Sequence, residues 1–97
     1  MNEIVEFVRA RIAEDEELAR EVESDARHGR DVPAEEADHV AVTGVARVLA
    51  DCEAKRGLLE LAEAAAADGL PRYEGAILRR LAQPYAEHAD YLDAWRP

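Results

Sequence analysis

The candidate metal ligands of this chain are its three histidines and one glutamate, which stands in a Glu-x-x-His spacing with one of them. Glu36 and His39 lie three positions apart, which places both on one face of a helix. Paired copies of this spacing supply the ligands of di-iron bundles, whereas this chain carries a single copy. A zinc site needs three or four ligands, and His28, His39 and His88 fall in three different segments. We therefore expect neither a metal site nor a cofactor.

A second candidate group lies in the C-terminal stretch LAQPYAEHADYLDAWRP, residues 81–97. Its polar and aromatic members form the candidate interaction or binding site, and they are Tyr85, Glu87, His88, Asp90, Tyr91 and Trp95. Two interpretations stay open. One is a site for a small ligand or a metal near His88. The other is a structural clasp that locks the tail onto the helices, which we favour because aromatic side chains bury a large area per residue.

The other reactive residue types lack the partners that catalysis requires. Cys52 falls on the apolar stripe of a predicted helix, which is typical of a buried, inert thiol. Ser24 is the only serine, and no spacing ties a histidine or an aspartate to it. The acidic run from Glu14 to Glu17 winds around a predicted helix and indicates a solvated face. No glycine-rich phosphate loop is present. We expect no catalytic residues and no enzyme activity.

Length and charge narrow the class of protein further. A chain of 97 residues is the size of one domain, and we expect residues 1–97 to form it. The net charge of −10 repels nucleic acids and anionic membrane surfaces, and it suits a basic protein partner. No stretch resembles a membrane span or a signal peptide. With one cysteine and therefore no internal disulfide, the expected location is the cytoplasm.

The elements that must position these residues are predicted to be helices throughout. Residues 2–29 predict one long helix that Asn2 can cap and Gly29 can end. Its apolar residues recur at helical spacing, with Val5 and Phe7 at the edges of an arc formed by Ile4, Val8, Ile12, Leu18, Ala19 and Val22. Such a broad arc predicts a face that packs against other helices.

Three further helical segments follow in the prediction. A short helix starts at Pro33 and runs to about Val40, and a second long helix starts at Thr43 and ends at Asp68-Gly69. Within the second long helix, Gly57 marks a close helix crossing. A third main helix spans about Pro71 to Ala82, and its inward residues are Tyr73, Ile77, Leu78 and Leu81. Pro84 ends it and pushes Gln83 away from helical angles. The predicted fold class is therefore a small all-α bundle with an aromatic tail.

Two stretches of the chain resemble a known family. ARVLADCEAKRGLLELAE and LRRLAQPYAEHADYLDAWRP together resemble a family of small bacterial and phage-borne proteins of unknown function. The N-terminal stretch FVRARIAEDEELAR is also similar. Longer members carry a Cys-, His- and Trp-containing insert that suggests metal binding. This chain has AAAADGLPRYEG at that position, so the resemblance implies no metal role here.

These observations predict a non-enzymatic structural or protein-interaction module of unknown function, as a homodimer or with a basic partner. One alternative is an acidic inhibitor, related to phage or defence, that covers a basic surface on another protein. The other alternative is the ligand or metal site near His88.

Overall fold

The computed structural model describes the backbone of residues 2–27 and 34–97 and the side chains of residues 3–25 and 44–97. Three α-helices follow one another: α1 (Asn2–Arg27), α2 (Ala34–Ala67) and α3 (Pro71–Ala82). Two 3₁₀ turns complete the chain, Gln83–Tyr85 and Asp93–Trp95. No strand occurs in the described ranges, so the predicted all-α fold class is confirmed. Gly29, proposed to end the first helix, lies outside them.

Helix α1 buries most of its predicted apolar arc and exposes two residues of its C-terminal half. The residues that face the core are Ile4, Phe7, Val8, Ile12 and Ala19. Leu18 and Val22 were expected inside as well, and that expectation is wrong: their exposed fractions are 64% and 44%. Helical periodicity identifies a face correctly, but it does not say whether the fold supplies anything to cover the far end of that face.

Helix α2 is one continuous helix, which corrects two expectations. The separate short helix ending near Val40 and the new start at Thr43 are both absent, because residues 34–67 form a single element. A helix interior tolerates Thr and Gly at a cost of about 1 kcal/mol or less each, and no proline interrupts this run. Gly57 marks no close crossing, since a Cβ at that position would meet nothing within 4 Å.

The connection from α2 to α3 follows local chemistry closely. Gly69 has a φ of 74°, the left-handed angle that glycine adopts without strain. The Gly69 N–H donates to the Ala66 carbonyl at 3.1 Å and the Leu70 N–H to the Ala65 carbonyl at 2.8 Å. These two bonds form a Schellman cap, and Pro71 then begins α3 at the position that needs no N–H donor. The predicted bounds of this helix are confirmed.

Helix α3 and the residues after it depart from the prediction in two places. Leu78 and Leu81 are buried as expected, but Tyr73 is 61% exposed and does not face inward. Gln83 keeps helical angles, with φ −52° and ψ −43°, despite the proline that follows. The bias against helical angles before proline is therefore overcome, and the chain tightens directly into the first 3₁₀ turn.

The three helices and the tail share one hydrophobic core. Helices α1 and α2 are antiparallel, because Arg9 pairs with Glu63 near one end and Glu16 with Arg56 farther along. Helix α3 packs mainly on α2, and the tail closes over α1. Their common core consists of Ile4, Phe7, Val8, Ile12, Cys52, Leu59, Ala62, Leu78, Leu81, Ala82 and Tyr91. The molecule is 52 Å long, whereas α3 spans only about 18 Å.

Candidate functional site

The predicted tail cluster converges on a phenylalanine of α1. The Phe7 ring centroid lies 5.0 Å from that of Trp95, 5.5 Å from His88, 6.0 Å from Tyr91 and 6.3 Å from Tyr85. Most of these pairs meet edge to face, the arrangement that aromatic quadrupoles favour. Tyr91 and Trp95 also meet at 5.6 Å. The four rings of the tail are thus packed around one side chain.

A hydrogen-bonded chain ties the first tail aromatic to both long helices. Tyr85 Oη donates to Asp15 Oδ2 of α1 at 2.7 Å, and Lys55 Nζ of α2 donates to Tyr85 Oη at 2.9 Å. Burial, with the hydrogen bond to Asp15, raises the pKa of Tyr85 well above its ordinary value. The hydroxyl therefore stays protonated at neutral pH and acts as a structural bridge between α1 and α2.

His88 faces an arginine. Arg11 Nη1 lies 2.9 Å from His88 Nδ1 and also contacts Nε2 of the same ring. The Asp90 backbone N–H donates to Nδ1 at 3.0 Å, while Arg11 Nη2 donates to Glu14 at 2.9 Å. A metal ion bound by His88 would lie beside the guanidinium charge, which opposes its binding.

Two buried polar atoms of this cluster lack a hydrogen-bond partner within the part of the chain that the structure describes. They are Arg11 Nε and Tyr91 Oη. Buried polar groups are normally paired, so each of these two atoms keeps an unused capacity for a hydrogen bond. The guanidinium of Arg11 also lies 5.1 Å from the centre of the Phe7 ring, a cation–π contact that holds it in place.

The structure sorts the predicted site residues into two groups. Tyr85, His88, Tyr91 and Trp95 come together around Phe7, whereas Glu87 is exposed and makes no contact with the cluster among the residues that the structure describes. Asp90 is exposed at its edge, with a carboxylate oxygen 4.0 Å from Arg11 Nη1.

Sequence reasoning missed the partners that the long helices contribute: Phe7, Arg11, Asp15 and Lys55. One signal was available. Arg11 and Asp15 fall inside the apolar arc of α1, where a charged residue needs a partner.

The acidic run of α1 is more than the solvated face that its composition indicated. Arg56 of α2 binds Glu16 through two bonds, Nη2 to Oε1 at 2.5 Å and Nε to Oε2 at 3.1 Å. This contact lowers the pKa of Glu16 and raises that of Arg56. With Asp15 bound to Tyr85, two of the four acidic residues join elements, and the expectation is wrong for those two.

The other candidates for chemistry remain apart from this cluster. Cys52 is buried, as predicted, and its Sγ lies 3.9 Å from the Ile12 carbonyl oxygen. Burial raises the pKa of its thiol, the opposite of what a reactive cysteine needs. Ser24 is exposed on α1. The side chains of His28, Glu36 and His39 lie outside the described residues. Among those described, no three His, Cys, Asp or Glu residues gather as a metal site.

A second surface feature lies beyond the tail, and we call it the open face: Leu18 and Val22 of α1 and Val48 of α2. Leu18 and Val22 follow Asp15 by three and by seven positions, respectively. Both therefore continue the face of α1 on which Tyr85 of the tail contacts Asp15. Val48 precedes Lys55 by seven positions and continues the matching face of α2. All three are exposed, Val48 by 38%. Among the described residues, the third layer of the bundle, formed by α3 and the tail, therefore stops at Tyr85, and the two long helices continue beyond it.

Acidic residues border the open face. Glu14 and Glu21 lie four positions before and three after Leu18, Asp25 lies three after Val22, and Asp51 lies three after Val48. We call these four exposed residues the acidic rim. Arg20 is two positions from both Leu18 and Val22, which directs it to the opposite side of α1. Measured around the axis of α2, Arg47 lies about 100° from Val48 and Asp51 about 60°. Asp51 is therefore the nearer of these two charges to the open face.

These features define a class: a small all-α protein in which an aromatic tail packs against the helices and two long helices extend beyond the third. The chain belongs to the family of unknown function DUF6221, whose family model matches residues 1–97. A search of curated proteins and a search of solved structures each give no match. Within the described residues, no helix has the length and apolar character that a membrane span requires.

Proposed function

We propose that this protein is a non-enzymatic protein-interaction module that binds its partner through the open face. The observation that carries the proposal is the exposure of Leu18, Val22 and Val48 on faces that the tail and α3 cover elsewhere in the molecule. Two packed helices bury only the apolar residues that lie between them. Apolar residues on the outer side of the pair are covered in stable helical domains by a further element. A partner would supply that element.

The energy available at the open face is modest. Complete burial of a Leu or Val side chain contributes about 1.5–3 kcal/mol, and these three side chains are roughly half exposed. Covering them would contribute roughly 2–4 kcal/mol, which is less than a micromolar complex requires. Additional contacts around the face, from charged or polar groups, must supply the rest.

Two kinds of partner fit the proposal. One is a second copy of this chain, which would give the homodimer expected from the sequence. The other is a basic protein, as in the alternative of an acidic inhibitor related to phage or defence, and the acidic rim favours this partner by charge. A bacterial or phage origin rests on the resemblance that ARVLADCEAKRGLLELAE and LRRLAQPYAEHADYLDAWRP carry. A cytoplasmic location rests on the single cysteine.

A small-ligand site near His88 is the second candidate function. It is favoured by the two unpaired buried atoms, Arg11 Nε and Tyr91 Oη. A metal at the same place is disfavoured by the neighbouring guanidinium of Arg11. Isothermal titration with zinc and with small carboxylic acids would test this candidate. Heat that disappears in Arg11→Met would support it.

The interaction proposal is tested by comparing two exposed leucines. Leu18 lies on the open face. Leu61 of α2 is similarly exposed, at 58%, but lies on a different face of its helix, about 140° around the axis from Val48. A photo-crosslinking amino acid is placed at position 18 or at position 61, and the protein is irradiated in its own host cells. Discrete adducts from position 18 alone are expected, and equal labelling from both positions would refute the proposal.

A stability measurement provides an independent check. If the open face serves binding, Leu18→Gln should leave the melting temperature of the isolated chain within about 2 °C, because an exposed side chain contributes little to folding. A loss of stability above about 1 kcal/mol would show that Leu18 belongs to the fold and that the face is not free for a partner.

A further inference from the structure

We propose that the occupant of the open face is a basic amphipathic helix of another protein, which completes a three-helix bundle at this end of the molecule. This inference rests on the proposed function and names its partner.

The geometry suits a helix. The open face lies along the groove between two antiparallel helices, the position that α3 and the tail occupy in the other half of the molecule. From Asp15, where the tail contact ends, to Asp25 of the acidic rim, α1 extends about 15 Å. A partner helix of about 10–14 residues would cover this length, with apolar side chains every third or fourth position against Leu18, Val22 and Val48.

The charges distinguish a basic partner from a second copy. The acidic rim places four carboxylates around the apolar residues: Glu14, which already accepts a bond from Arg11, Glu21 and Asp25 on α1, and Asp51 on α2. In a symmetric dimer through the open face, the same four carboxylates of each copy would border one interface, and like charges there oppose association. Lysines or arginines flanking the apolar stripe of a partner helix would instead meet opposite charge on both sides of the groove.

The probe is a fluorescein-labelled peptide of about 14 residues, with leucines at every third or fourth position and lysines elsewhere. One control peptide has the same composition in scrambled order, and another replaces each lysine with glutamate. Fluorescence anisotropy of the intact chain should show binding of the amphipathic basic peptide. Binding should be about tenfold weaker for the scrambled peptide, undetectable for the acidic one, and reduced by added salt.

Matched variants locate the binding site. Leu18→Gln should weaken binding about tenfold, while Leu61→Gln should change it less than about twofold. Glu21→Gln should weaken binding and reduce its salt dependence, whereas Glu60→Gln, an exposed acid of α2 outside the rim, should not. The inference is overturned if the scrambled peptide binds equally well, or if the Leu61 and Glu60 variants lose as much affinity as their counterparts.

Sedimentation equilibrium separates failure of this inference from failure of the proposed function. A dimer that dissociates in Leu18→Gln, and with which the basic peptide does not compete, would overturn the basic helix and leave the interaction module standing. No peptide binding, no self-association and no selective crosslink at position 18 would remove both. Peptide binding by a monomeric chain, weakened about tenfold in Leu18→Gln, is the result that this inference requires, and it would also support the proposed function.

Discussion

Removal of the Trp95 side chain tests whether the aromatic tail is part of the fold. Trp95 is half-buried, and its ring meets Phe7 at 5.0 Å and Tyr91 at 5.6 Å between centroids. Trp95→Ala removes both contacts and uncovers Phe7, which is buried in the core. We therefore expect this change to loosen the tail and to destabilise the whole domain.

The magnitude follows from burial. A fully buried Trp→Ala substitution costs about 3–5 kcal/mol, and half-burial lowers the transfer contribution. Each aromatic pair adds about 0.5–1.5 kcal/mol beyond buried area, and two pairs are lost. We expect a loss of about 2–3 kcal/mol. For a domain of this size, 1 kcal/mol corresponds to about 4–8 °C, so the melting temperature should fall by roughly 10 °C or more.

The assay is thermal unfolding followed by circular dichroism at 222 nm, because the substitution removes the only tryptophan and with it the fluorescence signal. Tyr73→Ala is the matched control: its ring is 61% exposed on α3, and its loss should change stability by less than about 0.5 kcal/mol. If Trp95→Ala and Tyr73→Ala melt at the same temperature, the clasp interpretation fails and the tail residues are free to form a binding surface.

Three further predictions concern titratable groups. The pKa of Tyr85 is raised above its ordinary value of 10.0, so its protonated form stabilises the fold below pH 10, and that contribution is lost as pH rises above 10. In urea unfolding, Tyr85→Phe should lower the free energy of unfolding at pH 7 and flatten its dependence on pH in the alkaline range. The thiol of Cys52, whose pKa burial raises above 9.0, should resist a thiol reagent until the protein unfolds, and rapid labelling of the native protein would contradict its burial. The pKa of Glu16 is lowered by Arg56, so the contribution of this ion pair to stability is present above about pH 4.5 and lost as pH falls. Glu16→Gln should be less stable than wild type at pH 7 and equal to it at low pH. A difference in stability that stays constant with pH would refute this account.

The described site could be predicted in part from sequence. The aromatic content of residues 81–97 indicated a clasp, and Tyr85, Tyr91 and Trp95 do pack on the helices. Phe7, on which they pack, was placed at the edge of an apolar arc, and nothing in that position indicated the contact with the tail. Its central role depends on where the tail crosses α1, a contact between residues about 80–90 positions apart that no local pattern encodes.

The bounds of the helices show the same division. The start of α3 at Pro71 and the turn at Gly69 follow from local chemistry, because proline suits a helix start and glycine accepts a positive φ. The new helix start expected at Thr43 is absent, because a residue that can cap a helix does so only where the backbone departs from helical angles, and α2 is continuous there. Local preferences of about 1 kcal/mol are readily overridden in a long helix.

By itself, the sequence determined that this chain is helical, acidic and one domain in length, and it determined which faces of its helices are apolar, because spacing and composition are local properties of the chain. Only the tertiary structure decided which parts of those faces are covered. Ile4 and Val8 are buried under α3 and the tail, while Leu18 and Val22, on the same arc, are exposed. The physical reason is length: α3 has 12 residues against 26 in α1 and 34 in α2, so the third layer ends before the apolar stripe does.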